Sequence, residues 1–177
     1  VKIPDPENEE RSQKVQLLKE AKEAYTEVRA QNGLSWLFVL SILATFFIMP
    51  VGVLFPLMTL NHYSGNAYQI SLVEAAWGIG ALLGGAFLGI KKFKLNEISL
   101  INWMYLLLGF TFLLSGVLPV SGYPLFVGLT AIGGISGSLY MASFTTVVQT
   151  RINPVVMGRV FSFYMSVSLL PSMIGLL

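Results

Sequence analysis

Glu74 is the residue with the most chemistry to offer. It is the one acid inside the long apolar stretches of the sequence. An ionisable side chain at membrane depth is costly, so by default it marks a path for a proton, an ion or a substrate. Its carboxyl can take up and release a proton, or it can pair with a cationic substrate. A second reading stands beside that one. Ser71-Leu72-Val73-Glu74 fits the capping-box pattern, in which Ser71 caps a helix and Glu74 reaches back to it from the first turn. An anion there also suits the helix dipole, and both roles can hold together.

Other side chains cluster by spacing. Ser136, Tyr140 and Ser143 share one face of an apolar segment; such a polar stripe hydrogen-bonds a neighbouring helix or faces a watery cavity. Phe46, Phe47, Met49, Phe55 and Met58 in one segment and Trp77 in the next are candidates for an apolar substrate pocket. The proton and substrate candidates are therefore Glu74, Ser136, Tyr140, Ser143, Phe47 and Trp77. Small residues recur at four-residue spacing: Gly80 with Gly84, Ala81 with Gly85 and Gly89, and Gly133 with Gly137, the last pair flanked by Gly134, Ser138 and Ala142. Faces of this kind let helix backbones approach closely, either as static packing or as surfaces that slide during a transport cycle. Arg159 follows Gly158 at the start of the last apolar segment, as a charge anchor or as one side of a gating salt bridge. His62 is expected to be solvated in a loop, and Trp36 and Tyr63 to act as interfacial anchors.

The inventory excludes several kinds of chemistry. There is no cysteine and a single histidine, so neither a disulfide framework nor a Cys/His metal site can form. No nucleophile, base and orienting group can be assembled, and no phosphate-cradling glycine loop is present. An enzyme, a resident cofactor and a bound metal are thus not expected. The basic residues of the N-terminal stretch are matched by acids, so no stripe for nucleic acid emerges.

The elements that position these residues follow from composition. The 177 residues are 54% hydrophobic and only 11% charged, against about 25% charged in soluble domains. Residues 1–33 hold six of the 11 Lys/Arg and seven of the nine Asp/Glu. They read as a cytoplasmic linker with an amphipathic helix from about Ser12, carrying a stripe of Val15, Leu18, Ala21, Tyr25 and Val28. Glu10 with Lys14 and Lys19 with Glu23 are spaced as helix ion pairs, and Asn32-Gly33 as a helix stop. This helix either lies on the membrane surface or is a solvated connector. Residues 34–177 read as an all-α transmembrane bundle, because a hydrocarbon core of ~30 Å takes ~20 apolar residues in helix. Five spans are expected, over 34–60, 70–90, 98–118, 124–150 and 159–177, with Pro50 and Pro56 expected to kink the first and Pro171 the last. All 11 basic residues fall in the linker, in Lys91–Lys94 or in Arg151–Arg159. The positive-inside rule places those three segments in the cytoplasm. The chain starts without Met and stops inside an apolar run, so it is expected to be a piece of a longer protein.

Two stretches resemble a known family. Leu72-Val73-Glu74-Ala75-Ala76-Trp77-Gly78-Ile79-Gly80-Ala81-Leu82-Leu83-Gly84-Gly85 and Asn153-Pro154-Val155-Val156-Met157-Gly158-Arg159-Val160-Phe161-Ser162 are similar to segments of major facilitator superfamily transporters. The likeness is to the macrolide-efflux and siderophore-exporter branch, with the five segments corresponding to helices 7 to 11 and the second stretch to the loop between helices 10 and 11. The resemblance implies a multi-pass protein of a bacterial-type inner (plasma) membrane, with residues 1–33 cytoplasmic. It also implies two six-helix halves that rock about a central site, and efflux of a small hydrophobic substrate by proton antiport. The implied partners are the substrate, protons, the lipid bilayer and the N-terminal half of the same protein. The alternative is a helical membrane scaffold or a channel or assembly subunit that transports nothing.

Overall fold

The computed structural model describes residues 20–90 and 96–174, and the side chains of all of these except 90 and 170–174. The expected helix start near Ser12, the stripe positions Val15 and Leu18, and the pairs that use Lys14 and Lys19 lie outside the described residues. So do Lys91, Lys92 and Lys94, the side chain of Pro171, and the last three residues of the fifth segment.

Every regular element among the described residues is helical. Helix α1 covers residues 20–30, and Gly33 then takes φ +82°, a left-handed turn that glycine enters without steric penalty. Helix α2 follows at once as Leu34–Asn61, then α3 as Ala67–Ile90, α4 as Glu97–Val117, a 3-10 turn at Val120–Gly122, α5 as Tyr123–Arg151 and α6 as Pro154–Ile174. Helices α2, α3, α4 and α5 are long and apolar enough to cross a membrane, while α6 contributes a shorter apolar stretch, Pro154–Leu169. The chain is thus an all-α, multi-pass membrane protein. Helix α2 runs unbroken through Pro50 and Pro56, each of which withholds one backbone donor.

The helix starts differ from the expected spans, and the cause is local capping. Helix α3 begins at Ala67 rather than near 70. The Asn66 side chain accepts from Gln69 N at 3.2 Å while Gln69 Oε1 accepts from Asn66 N at 3.0 Å, a reciprocal box. Helix α6 begins at Pro154 rather than at Arg159, because Asn153 Oδ1 caps Val155 N at 3.0 Å and proline suits the first helical position. Asn96 likewise caps α4 through Ile98 N.

The chain divides into two compact units, Val1–Phe47 with Val148–Leu177, and Ile48–Val147. In the first, α1 buries Ala24 and Val28, and Leu37, Phe38, Val160 and Tyr164 are buried with them. The rings of Phe38 and Tyr164 meet edge to face at 5.4 Å, those of Tyr25 and Phe163 at 6.5 Å. The expected stripe holds at Val28 and partly at Ala21 and fails at Tyr25. Ala24 is in and Tyr25 is 51% exposed, since its ring leans over Phe163. Side chains of α1 dock on α6, Tyr25 against Phe163 and Glu23 with Arg159.

The second unit packs around Phe55, Tyr63, Val73 and Phe126. Phe55 takes Phe112 and Phe126 edge to face at 5.7 and 4.8 Å, an arrangement favoured by the ring quadrupoles. Buried hydroxyls here satisfy themselves within their own helix: Thr59 donates to the Phe55 carbonyl, Ser115 to Thr111 and Thr130 to Phe126. Such back-bonding lets a polar side chain sit in an apolar helix without a partner across the interface. Large apolar side chains such as Trp103, Leu106, Phe110, Leu113 and Val117 of α4 stand exposed, as suits a surface solvated by lipid.

Candidate functional site

The site is built on the seam between α3 and α5. A Cβ added to Gly80 would strike the Ala131 carbonyl, one on Gly134 the Trp77 carbonyl, and one on Gly84 the Ser138 hydroxyl and the Ile135 carbonyl. The two backbones touch, and only glycine permits it. Gly133 and Gly137 receive the Trp77 ring, at 3.0 and 3.5 Å from where their Cβ atoms would lie. Gly85 corrects the expectation: nothing lies within 4 Å of its added Cβ, because it is one residue past Gly84 and turned about 100° away from the seam. Gly134, flanking the expected pair, makes the closer contact.

Pinned between α5 and the Phe112 ring, which stacks on it at 6.4 Å, Trp77 forms one wall of a cavity of about 400 Å³. Glu74 lies three residues earlier on the same face of α3 and lines the same cavity. Helix α2 supplies Ile48, Met49, Gly52, Phe55 and Pro56. Ile70 and Val73 of α3, Phe112 of α4 and Thr130 of α5 complete most of the rest. Among the described residues nothing forms an ion pair with Glu74, and the side chain is exposed. Its proposed cap is not there. Glu74 is the eighth residue of α3, two turns past the true start, and the Ser71 hydroxyl donates instead to the Ala67 carbonyl at 3.1 Å. The capping box is Asn66 with Gln69, which leaves the Glu74 carboxylate uncommitted.

The structure brings Glu74, Trp77, Met49 and Phe55 together and leaves the other candidates elsewhere. Met58 packs against the aromatic core. Phe46 and Phe47 belong to the other unit, with Phe47 62% exposed and its ring against Phe46 at 5.1 Å. Ser136, Tyr140 and Ser143 are buried but line no part of the Glu74 cavity. Ser136 donates to the Ile132 carbonyl of its own helix at 2.9 Å, and Tyr140 stacks between Tyr105 and Phe144, at 4.4 and 6.1 Å. On this face Tyr140 meets α4 through Tyr105. Spacing did not single out Phe112 and Thr130, nor the lining residues Ile48, Val51, Gly52, Pro56, Ile70 and Val73. Phe112 sits amid phenylalanines and leucines that look alike in sequence, and Thr130 is a lone hydroxyl in an apolar run.

The loop after α2 is tied down. The His62 Nε2 hydrogen-bonds the Leu118 carbonyl at 2.9 Å, so His62 is not merely solvated. Tyr63 is buried at 7% exposure, with Phe126 and Tyr123 rings at 5.2 and 5.6 Å; it is a core residue rather than an interfacial anchor. Burial raises the Tyr63 phenol above its ordinary pKa, which keeps it neutral. Trp36, by contrast, is 73% exposed. In the first unit the Arg159 guanidinium donates to Glu23 Oε2 at 2.5 Å. Its partner is thus within this chain, on α1.

The comparisons agree with this architecture. The sequence matches the Major Facilitator Superfamily profile over residues 1–176. Macrolide efflux protein A of Enterococcus faecalis is 34% identical over 176 residues, covering 99% of this chain and 54% of that protein. Macrolide efflux protein A of Streptococcus pyogenes is 33% identical over 177 residues, covering 100% of this chain and 44% of that protein. The chain spans about half the length of these curated relatives. No solved structure matches it.

Proposed function

The chain belongs to the Major Facilitator Superfamily, and on that premise we propose that it forms part of an efflux transporter for hydrophobic, macrolide-like small molecules. The observation that carries the reading is the cavity in Ile48–Val147: apolar and aromatic walls, one unpaired carboxylate at Glu74, and a volume of about 400 Å³. Sites for drug-sized ligands are of this kind, mostly apolar with a few placed polar groups. The names of the relatives supply the substrate class.

The transporter works by alternating access, with this chain contributing helices 7 to 11 to one rocking half. Residues 1–33 form the cytoplasmic linker, and the basic segments Lys91–Lys94 and Arg151–Arg159 lie on the same side. The α3 start then faces outward, and Glu74 sits about 10 Å below it at 1.5 Å per residue. Export is coupled to proton entry: Glu74 accepts a proton from the outside, releases its substrate, and returns the proton to the cytoplasm. The close α3–α5 seam moves as a unit and keeps Trp77 fixed beside the carboxylate.

The test is drug accumulation in a susceptible bacterial host that expresses the full transporter. A labelled macrolide should accumulate less than in control cells, and a protonophore should abolish the difference. Equal accumulation with and without the protein would refute efflux. A difference that survives collapse of the proton gradient would refute the coupling.

A further inference from the structure

The charges of α1 are mixed along the sequence but separated by face on the folded helix. At about 100° per residue, Glu20, Glu23 and Glu27 fall within an arc of about 60°, beside the buried Ala24 and Val28. All three acids are half-buried, and Glu23 holds the Arg159 guanidinium of α6. Lys22, Thr26 and Arg29 share another face, centred about 120° round the helix from the acids. All three are exposed. The Thr26 hydroxyl turns back on the Lys22 carbonyl at 2.8 Å. Among the described residues neither Lys22 nor Arg29 has an ion-pair partner. The free face of α1 is therefore cationic, although the stretch as a whole is balanced.

This face is held close to the bilayer. Gly33 turns the chain directly into α2, and Leu34 N donates to the Gln31 carbonyl at 3.2 Å. The Ser35 hydroxyl donates to the Val28 carbonyl at 3.4 Å, which ties the end of α1 to the first turn of a membrane-length helix. Trp36 in that turn is 73% exposed, a ring type that suits the headgroup level. On the other side Tyr25 rests on Phe163. The helix cannot swing off into the cytoplasm, and its cations stay within a Debye length of about 8 Å of the headgroups.

We propose that the Lys22–Arg29 face of α1 binds the phosphates of anionic lipids, such as phosphatidylglycerol, in the cytoplasmic leaflet. Charge selects the occupant, since a zwitterionic headgroup offers these cations no net attraction. Position selects it too. The two cations stand about 10 Å apart along the helix, too small a footprint for a stable protein partner. The contact rests on the proposed topology, which puts residues 1–33 on the cytoplasmic side. Lipid then holds α1 by its basic face while α6 holds it by its acidic one.

The experiment uses the full transporter in phosphatidylcholine nanodiscs, with one cysteine introduced as Thr26→Cys and labelled with a fluorophore. This chain has no cysteine of its own, and any elsewhere in the full protein are replaced. A minority of the lipid carries a nitroxide quencher high on the acyl chain, on either phosphatidylglycerol or phosphatidylcholine. Quenching by the anionic lipid should exceed that by the zwitterionic one about threefold or more, and the excess should shrink with added salt. Lys22→Gln combined with Arg29→Gln should abolish the excess, while Lys22→Arg should keep it, both with an unchanged unfolding midpoint. Equal quenching by the two lipids, or an excess that survives loss of both cations, would overturn the contact. Quenching by neither lipid would overturn it as well and leave the face to a soluble partner. The outcomes separate from the efflux test. Drug export without a lipid preference refutes the contact alone, and a lipid preference without drug export upholds the contact and refutes the transport reading.

Discussion

The backbone of Gly134 lies directly against the Trp77 carbonyl, so that a single added methyl group would have to occupy the place of that oxygen. The neighbouring obstacle is backbone, with the Ala81 N at 3.0 Å, and backbone cannot swing aside as a flexible side chain can. Gly134→Ala must therefore push α3 and α5 apart, at a cost of about 1–3 kcal/mol. Gly85→Ala meets nothing within 4 Å and should be neutral or slightly stabilising. Thermal unfolding of the two variants in detergent checks this: the midpoint should fall for Gly134→Ala and hold for Gly85→Ala.

The reciprocal bonds of Asn66 and Gln69 set the start of α3. Asn66→Ala should cost about 1 kcal/mol, the usual worth of an N-cap. Ser71→Ala loses only a bond to the carbonyl of its own helix and should change stability by less than about 0.5 kcal/mol. If Ser71→Ala were the more damaging change, the helix would start where the Ser71–Glu74 pattern puts it. Unfolding midpoints again decide.

Two tyrosines, Tyr63 buried and Tyr123 half-buried, should respond differently to loss of the hydroxyl. Tyr123 donates to the Gln69 carbonyl at 2.9 Å, so Tyr123→Phe should cost about 1 kcal/mol. The Tyr63 hydroxyl is buried with no hydrogen-bond partner among the described residues, and Tyr63→Phe should be neutral or stabilising. A double comparison by chemical denaturation reads the difference directly.

The Glu23–Arg159 pair ties α1 to the first turns of α6, but both side chains are about two-fifths exposed. A double-mutant cycle with Glu23→Gln and Arg159→Gln should give a coupling below about 1 kcal/mol that shrinks with added salt. A larger, salt-insensitive coupling would mean that the pair is shielded from water.

How far these features were legible in sequence depends on whether they leave a periodic trace. The all-helical membrane fold was plain, because apolar runs of membrane length admit little else. The close-packed face of Gly80 and Gly84 was legible for the same reason, as spacing of four defines one side of a helix. Gly85 looked equally good, since spacing gives a face but not which neighbour the face meets. The α3 start is ambiguous in sequence because Ser71-x-x-Glu74 and Asn66-x-x-Gln69 are both capping patterns, and only the course of the chain chooses between them. The place of Tyr63 near a helix end suggests an anchor and cannot show that the rings of Phe126 and Tyr123 from α5 pack on it. The cavity was half visible: Glu74 stands out by charge, Trp77 by size, but Phe112 and Thr130 join them only through packing between distant segments.

The central claim is that the Glu74 carboxylate couples substrate export to proton movement. The measurement that reaches it most directly is proton flux in proteoliposomes of the full transporter, followed with an interior pH dye as substrate is added. The unaltered protein should show substrate-driven proton movement and Glu74→Gln none, with equal protein incorporation and an unchanged unfolding midpoint, since no described residue pairs with this side chain. Proton movement of full size in the Glu74→Gln protein would contradict the account.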